Sequence, residues 1–203
     1  MRPKEISLSA DLSAYFEGAL GEAMAVCGLS ASFGVERYLV ALLCDFARPD
    51  WQAAATLDRP LTFLLRDALA SAGGERFSRL RRLGDEVLYA LGFFGDHLTR
   101  HGADRRYVSS LGRNAYEQAA AMLRSGHRPL DAHEVLGELA HNYEGCVAVL
   151  NEVADQTFAA AVHSDSAVLR VYERWRVTRS GGLAQRLGAL GVLPMPAPKR
   201  TRQ

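Results

Sequence analysis

The stretch that most constrains the fold is residues 129–158, PLDAHEVLGELAHNYEGCVAVLNEVADQTF. Apolar side chains recur there at alternating spacings of three and four residues: Leu136, Leu139, Tyr143, Cys146, Leu150 and Val153. This a/d heptad stripe predicts an α-helix. Asp131 fits an N-cap, and Glu134 fits the second half of a capping box. No proline follows Pro129 in the stretch, so we predict one helix, the spine helix, roughly 40 Å long at ~1.5 Å per residue.

The rest of the chain alternates helical patterns with short turns that contain glycine or proline. Helix-spaced apolar residues predict helices from Ser9 or Ser13 to about Val26, over 34–47, over 61–70 and over 104–123. Another runs from about Glu75 to Leu98, and Gly92 and Gly95 predict that it kinks or ends near Phe94. Two more follow the spine helix, one beginning at Asp165 or Ser166 and a short last one around Leu183, Leu187 and Leu190.

These elements predict an all-α fold, a single-domain bundle of about seven or eight helices without a significant sheet. Residues 1–8 are expected to form an extended leader and residues 9–194 the domain. Residues 195–203, MPAPKRTRQ, have the composition of a disordered basic tail.

Charge is segregated along the chain although the total is only +1. Residues 129–163 contain six acids and no Lys or Arg, a net charge of −6, whereas residues 164–203 carry a net charge of +6. We therefore predict that the basic C-terminal segment packs against the acidic spine helix, either within one chain or across a dimer. Its apolar stripe (Val168, Val171, Tyr172 and Trp175) is expected to supply most of the stabilisation, because exposed ion pairs contribute little.

Three cysteines, Cys27, Cys44 and Cys146, are odd in number and lack a metal-like spacing. Reduced thiols are expected, which is typical of a cytoplasmic protein. The N-terminus lacks the apolar run of a signal peptide, and no segment reaches the ~20 apolar residues of a membrane span. The sequence thus predicts a soluble cytoplasmic protein.

Three segments carry a resemblance: LGDEVLYALGFFGDHL (83–98), YVSSLGRNAYEQAA (107–120) and YERWRVTRSGGLAQRLGALGVLP (172–194). Together they resemble a family of uncharacterised single-domain helical bacterial proteins. The resemblance covers most of the chain beyond the first helix. It implies one bacterial α-helical domain, and it implies no activity, cofactor or binding residue.

Glu138 and His141 form an E-x-x-H, the local signature of ferritin-like di-iron sites. Such sites need a second E-x-x-H and two further glutamates, and the sequence has one E-x-x-H. At 100° per residue, both side chains point away from the apolar stripe of the spine helix. We therefore interpret them as part of a solvated acidic face rather than as metal ligands.

His97 and His101 are spaced i, i+4, which can hold one metal ion from a single helix. No third ligand is evident in the sequence, and neighbouring arginines oppose a cation. Histidines near a helix C-terminus also interact favourably with the helix dipole. The interpretation adopted is no metal and no cofactor, with a metal, haem or small-molecule pocket at this pair as the alternative.

Catalytic motifs are not found in the sequence. There is no G-x-S-x-G, no cysteine context that would lower a thiol pKa, and no glycine-rich phosphate loop after a strand. No catalytic residue is assigned, and the sequence leans away from an enzyme.

Arginines cluster near the C-terminus at Arg170, Arg174, Arg176 and Arg179, interleaved with Tyr172 and Trp175. This pattern can bind phosphate backbones, which makes a nucleic-acid-associated protein the second alternative. The aromatic residues fit a core stripe, however. The preferred hypothesis is a non-enzymatic protein that acts by binding another protein or a copy of itself, with these arginines as candidate interaction residues.

Overall fold

A computed structural model describes residues 4–47, 61–100, 104–125, 130–160, 165–178 and 181–193. Within these ranges the chain forms nine helices and no strand, so the predicted all-α class is confirmed. In chain order they are α1 (Lys4–Cys27), α2 (Phe33–Phe46), α3 (Leu61–Ala70), α4 (Gly73–Arg100), α5 (Arg105–Ser125), α6 (Leu130–His141), α7 (Tyr143–Ala160), α8 (Asp165–Thr178) and α9 (Gly181–Ala189).

The chain divides into two compact units, residues 1–151 and 152–203. The single-domain boundaries predicted over residues 9–194 stay a prediction. In the first unit α4 packs most extensively against α5, and α5 packs against α6. Further contacts join α1 to α2, α3 to α4, α2 to α6, and α3 to α5. The predicted tail, residues 195–203, lies outside the described residues.

α1 begins at Lys4, so residues 4–8 are helical rather than the predicted extended leader. No glycine or proline occurs between Pro3 and Gly18 to stop a helix from extending in that direction. At the other end Gly28 adopts a positive φ of 65°, and the Leu29 amide donates to the Met24 carbonyl. This is a Schellman cap, which needs a residue tolerant of left-handed backbone.

The long helix α4 is kinked at Phe94, whose φ of −125° and ψ of 17° are not helical. The predicted kink near Phe94 is therefore confirmed. Earlier in α4, Gly84 lies against the ring of Tyr116 on α5, and a Cβ there would fall 2.6 Å from that ring. The glycine allows the two helices to pack closely.

The predicted spine helix is two helices, α6 and α7, with Asn142 between them. The discontinuity is small, because the Asn142 amide still donates to the Glu138 carbonyl and the Cys146 amide to the Asn142 carbonyl, both at 2.9 Å. The predicted apolar stripe is buried along its whole length: Leu136, Leu139, Tyr143, Cys146, Leu150 and Val153. The heptad pattern thus identified the buried face correctly but did not reveal the break.

In the second unit, α8 and α9 pack together around a small apolar core. Its buried members are Val171, Trp175, Leu183 and Leu187, with Val168 and Tyr172 half-buried beside them. The apolar stripe predicted for α8 therefore packs against α9.

None of the described helices combines the length and apolar character needed to cross a bilayer.

Candidate interaction groove

α1 and α2 form a helical hairpin joined by residues 28–32, and an open groove of about 820 Å³ runs between them. Short connections of this kind join antiparallel helices. We call this groove the α1–α2 groove. Its apolar lining includes Leu12, Leu20, Met24, Phe33, Val40 and Ala41. Leu20, Met24 and Val40 are at most 7% exposed and form its floor, whereas Phe33 is 72% exposed at one end.

The rim of the groove is charged. Glu17 contributes from α1, and Glu36, Arg37 and Asp45 contribute from α2. The Arg37 guanidinium lies over the Phe33 ring, 5.7 Å from its centroid, at the distance of a cation–π interaction. Arg37, the one Lys or Arg among the described lining residues, is thus held against the exposed aromatic ring.

Two contacts at the N-terminus of α2 hold this helix against α6. The Ser32 amide, at the N-cap, donates to Glu138 Oε1 on α6 at 2.8 Å. Gly34 lies so close to Val135 on α6 that a Cβ at Gly34 would fall 2.7 Å from that side chain. One wall of the groove is therefore anchored on α6.

The carboxylate of Asp85 on α4 is a second anchor for α2. We call Asp85, Tyr38 and Tyr116 together the Asp85 cluster. Asp85 Oδ1 accepts hydrogen bonds from the Tyr38 hydroxyl on α2 at 2.5 Å and from the Tyr116 hydroxyl on α5 at 2.7 Å. Its other oxygen, Oδ2, lies 4.0 Å from Arg81 Nε. One carboxylate therefore joins three helices.

Burial is the largest influence on the pKa values of this cluster. It raises the pKa of Asp85 from 3.8 to about 6, although both tyrosine hydrogen bonds and Arg81 lower it. Burial, and then the nearby Asp85 charge, also raises the pKa of Tyr38 and Tyr116. Both hydroxyls therefore stay protonated and act as hydrogen-bond donors at neutral pH.

Tyr143 on α7 extends the aromatic packing, with its ring centroid 6.0 Å from that of Tyr116. Its hydroxyl is buried without a hydrogen-bond partner among the described residues. The hydroxyl lies against Gly112 on α5, where a Cβ would fall 1.9 Å from the oxygen. This contact is steric, and the unpaired hydroxyl carries a desolvation cost.

The residues singled out as possible metal ligands are not brought together as far as the structure describes them. Glu138 is half-buried and bonded to Ser32, and His141 is exposed at the last residue of α6. Glu138 is therefore less exposed than the expected solvated face implies, because the Ser32 amide at the N-cap of α2 donates to it. The side chain of His97 and the whole of His101 lie outside the described residues.

No group of three or more His, Cys, Asp or Glu side chains able to hold a metal ion occurs within the described part of the chain. The alternative pocket near His97 and His101 stays a prediction.

Of the four candidate interaction arginines, Arg174 makes its contacts within the second unit. Its Nε donates to Asp155 Oδ1 on α7, and its guanidinium lies 4.8 Å from the Phe158 ring centroid. The Arg174 side chain is 17% exposed and that of Asp155 only 3%. Arg176 is exposed, whereas the side chain of Arg170 and the whole of Arg179 lie outside the described residues.

The sequence interpretation missed the Asp85 cluster. The available signal was the pair of acids, Asp85 and Glu86, within LGDEVLYALGFF (83–94), a stretch that is otherwise mostly apolar. An acid that such a segment buries needs hydrogen-bond donors or cations from its surroundings. Which tyrosines supply them depends on the packing of α2, α4 and α5, which the sequence pattern does not specify.

No protein-family model, curated protein or solved structure matches the chain.

Proposed function

We propose that this chain is a non-enzymatic protein that works by binding another protein in the α1–α2 groove. The observation that carries the proposal is the groove itself, about 820 Å³ with a buried apolar floor and the exposed Phe33 at its end. Grooves between two helices are a recurrent way to receive the apolar face of a partner helix. Exposed apolar residues next to such a groove mark an interaction surface.

The shifted ionisable groups of the described residues support a structural rather than a catalytic role. The hydroxyls of Tyr38 and Tyr116 both donate to Asp85, and these hydrogen bonds connect three helices. Burial, and after it the neighbouring Glu138 charge, raises the pKa of the Cys146 thiol to about 12. A thiol with such a pKa is a poor nucleophile at neutral pH.

A protein partner is favoured over nucleic acid, because Arg174 is engaged with Asp155 and Phe158. We further propose a cytoplasmic location, for which the support is that the three cysteines are thiols rather than disulfides. Membership of a family of helical bacterial proteins is proposed from the resemblance of residues 83–98, 107–120 and 172–194.

Photocrosslinking in living cells tests the proposal. A benzophenone amino acid at Arg37, on the groove rim, is compared with the same substitution at Arg124, an exposed position near the end of α5. We expect a defined protein adduct from position 37, identified by mass spectrometry, that is lost when Phe33→Asp is added. Equal adducts from both positions, or an adduct insensitive to Phe33→Asp, would show that the groove is not the interaction site.

A further inference from the structure

The helical hairpin that forms the groove is strongly acidic. Residues 11–46 contain five acids and a single base, Arg37, for a net charge of −4. The acids are Asp11, Glu17, Glu22, Glu36 and Asp45, and four of them are exposed while Glu36 is half-buried. Since the whole chain carries +1, this charge is a local property of the hairpin.

The dimensions of the groove match a helix. Its lining residues run from Phe33 to Asp45 on α2 and from Leu12 to Met24 on α1. At ~1.5 Å per residue each wall is roughly 18 Å long, or slightly more than three helical turns. Three turns present apolar anchors at i, i+4 and i+7, which is the spacing that helix-in-groove recognition uses.

We propose that the occupant of the α1–α2 groove is a cationic amphipathic helix of a partner protein. The inference rests on the proposed function and adds the chemistry of the partner. The apolar stripe of that helix packs on Leu20, Met24 and Val40, and lysine or arginine side chains flank the stripe. They face Asp45, at the end of the α2 wall away from Phe33, and Glu17, near the middle of the α1 wall.

The negative charge of the hairpin favours a cationic helix over three other possible occupants: a second copy of the chain, nucleic acid and an anionic membrane surface. A second copy docked through the same face would bring two hairpins of net −4 together, and like charges oppose such an interface. Nucleic acid and anionic membrane surfaces are repelled for the same reason. A cationic helix gains from the field, chiefly through faster association and correct orientation.

The test uses the purified full chain and three synthetic helical peptides that share one leucine stripe. The flanking positions are lysine in the first, glutamate in the second and glutamine in the third. Fluorescence anisotropy measures binding at low ionic strength and again at about 0.5 M salt, where surface charges are screened. We expect the lysine peptide to bind about tenfold or more tighter than the glutamate peptide at low salt, with the difference shrinking at high salt.

Variants locate the effect on the groove. Glu17→Gln combined with Asp45→Asn should weaken the lysine peptide about three- to tenfold and leave the glutamine peptide unchanged. The matched control is Glu117→Gln, an exposed acid on α5. Phe33→Asp should weaken all three peptides.

Equal binding of all three peptides, or preference for the glutamate peptide, would overturn the cationic partner while leaving the groove as the interaction site. If none of the peptides binds, the proposal of a cationic helical partner is also overturned. The crosslinking experiment at Arg37 would then decide separately whether the groove binds another protein.

Discussion

The carboxylate of Asp85 accepts hydrogen bonds from hydroxyls on two other helices, while burial opposes its negative charge. Both tyrosines bond to Oδ1, so a proton on Oδ2 would leave both hydrogen bonds in place. The protonated form therefore keeps both hydrogen bonds while it removes the buried negative charge. An asparagine has the same shape as that form and keeps the acceptor oxygen, which makes it an informative replacement.

Asp85→Asn is expected to preserve or raise stability at neutral pH. A folded pKa of about 6 against an ordinary 3.8 means that Asp85 stabilises the fold below pH 3.8 and that this contribution is lost as pH rises through about 6. The difference corresponds to about 3 kcal/mol at most. Urea denaturation at pH 4.5 and 7.5 should show the wild-type protein losing stability relative to Asp85→Asn as pH rises.

The control for that experiment is Asp85→Ala, which removes the acceptor and should cost about 1–3 kcal/mol by leaving buried hydroxyls unpaired. If Asp85→Asn were as damaging as Asp85→Ala at pH 7.5, the hydrogen bonds would require the charged carboxylate.

Tyr143→Phe is expected to be neutral or to stabilise by up to about 1 kcal/mol, because it removes a buried hydroxyl that has no hydrogen-bond partner among the described residues. Gly112→Ala should destabilise strongly, since the new Cβ would fall 1.9 Å from that hydroxyl. Thermal unfolding of both single variants and of the double variant measures the effect. Tyr143→Phe should partly restore the thermal stability that Gly112→Ala removes. If the double variant is no more stable than Gly112→Ala alone, the new Cβ does not clash with the Tyr143 hydroxyl.

At the scale of elements, the position of α2 depends on contacts at both its N-terminal cap and its middle. Glu138 binds the Ser32 amide, and Asp85 binds the Tyr38 hydroxyl. The sequence pattern assigned Glu138 to an open face because helical spacing relates it only to its own helix. The packing of α2 on α6 turns that face into an interface.

Glu138→Ala should therefore cost about 1 kcal/mol, as loss of a capping interaction does. Glu138→Gln keeps the acceptor and should cost less. Glu22→Ala, an exposed acid on α1, serves as the control. Equilibrium denaturation gives the three values, and a Glu138→Ala variant as stable as Glu22→Ala would contradict the capping role.

The ion pair between α7 and α8 leads to a second prediction at this scale. Arg174→Ala would leave the Asp155 side chain, 3% exposed, without this charged partner, which typically costs about 3–5 kcal/mol. Trp175→Ala should cost a similar amount by removing a buried indole. From the sequence alone we had expected the apolar stripe that includes Trp175 to supply most of the stabilisation, because the arginines were treated as exposed. Arg176→Ala, at an exposed position, is the control and should have little effect. If Arg174→Ala were as mild as Arg176→Ala, the buried ion pair would be refuted.

At the scale of the whole molecule, the all-α class was predictable because each helix carries its own apolar periodicity and its own stop signals. The stripe from Leu136 to Val153 and the kink at Phe94 follow from such local rules. The break at Asn142, the Asp85 cluster and the groove depend on which helices become neighbours. No spacing within one segment contains that information, so the candidate site emerged only with the fold.

The measurement that tests the central claim most directly is hydrogen–deuterium exchange of the purified chain with and without the partner identified by the Arg37 crosslink. Our account predicts slower exchange in α1 and α2, concentrated between Leu12 and Asp45, and loss of that protection in the Phe33→Asp variant. Protection confined to α8 and α9, with α1 and α2 unchanged, would contradict it.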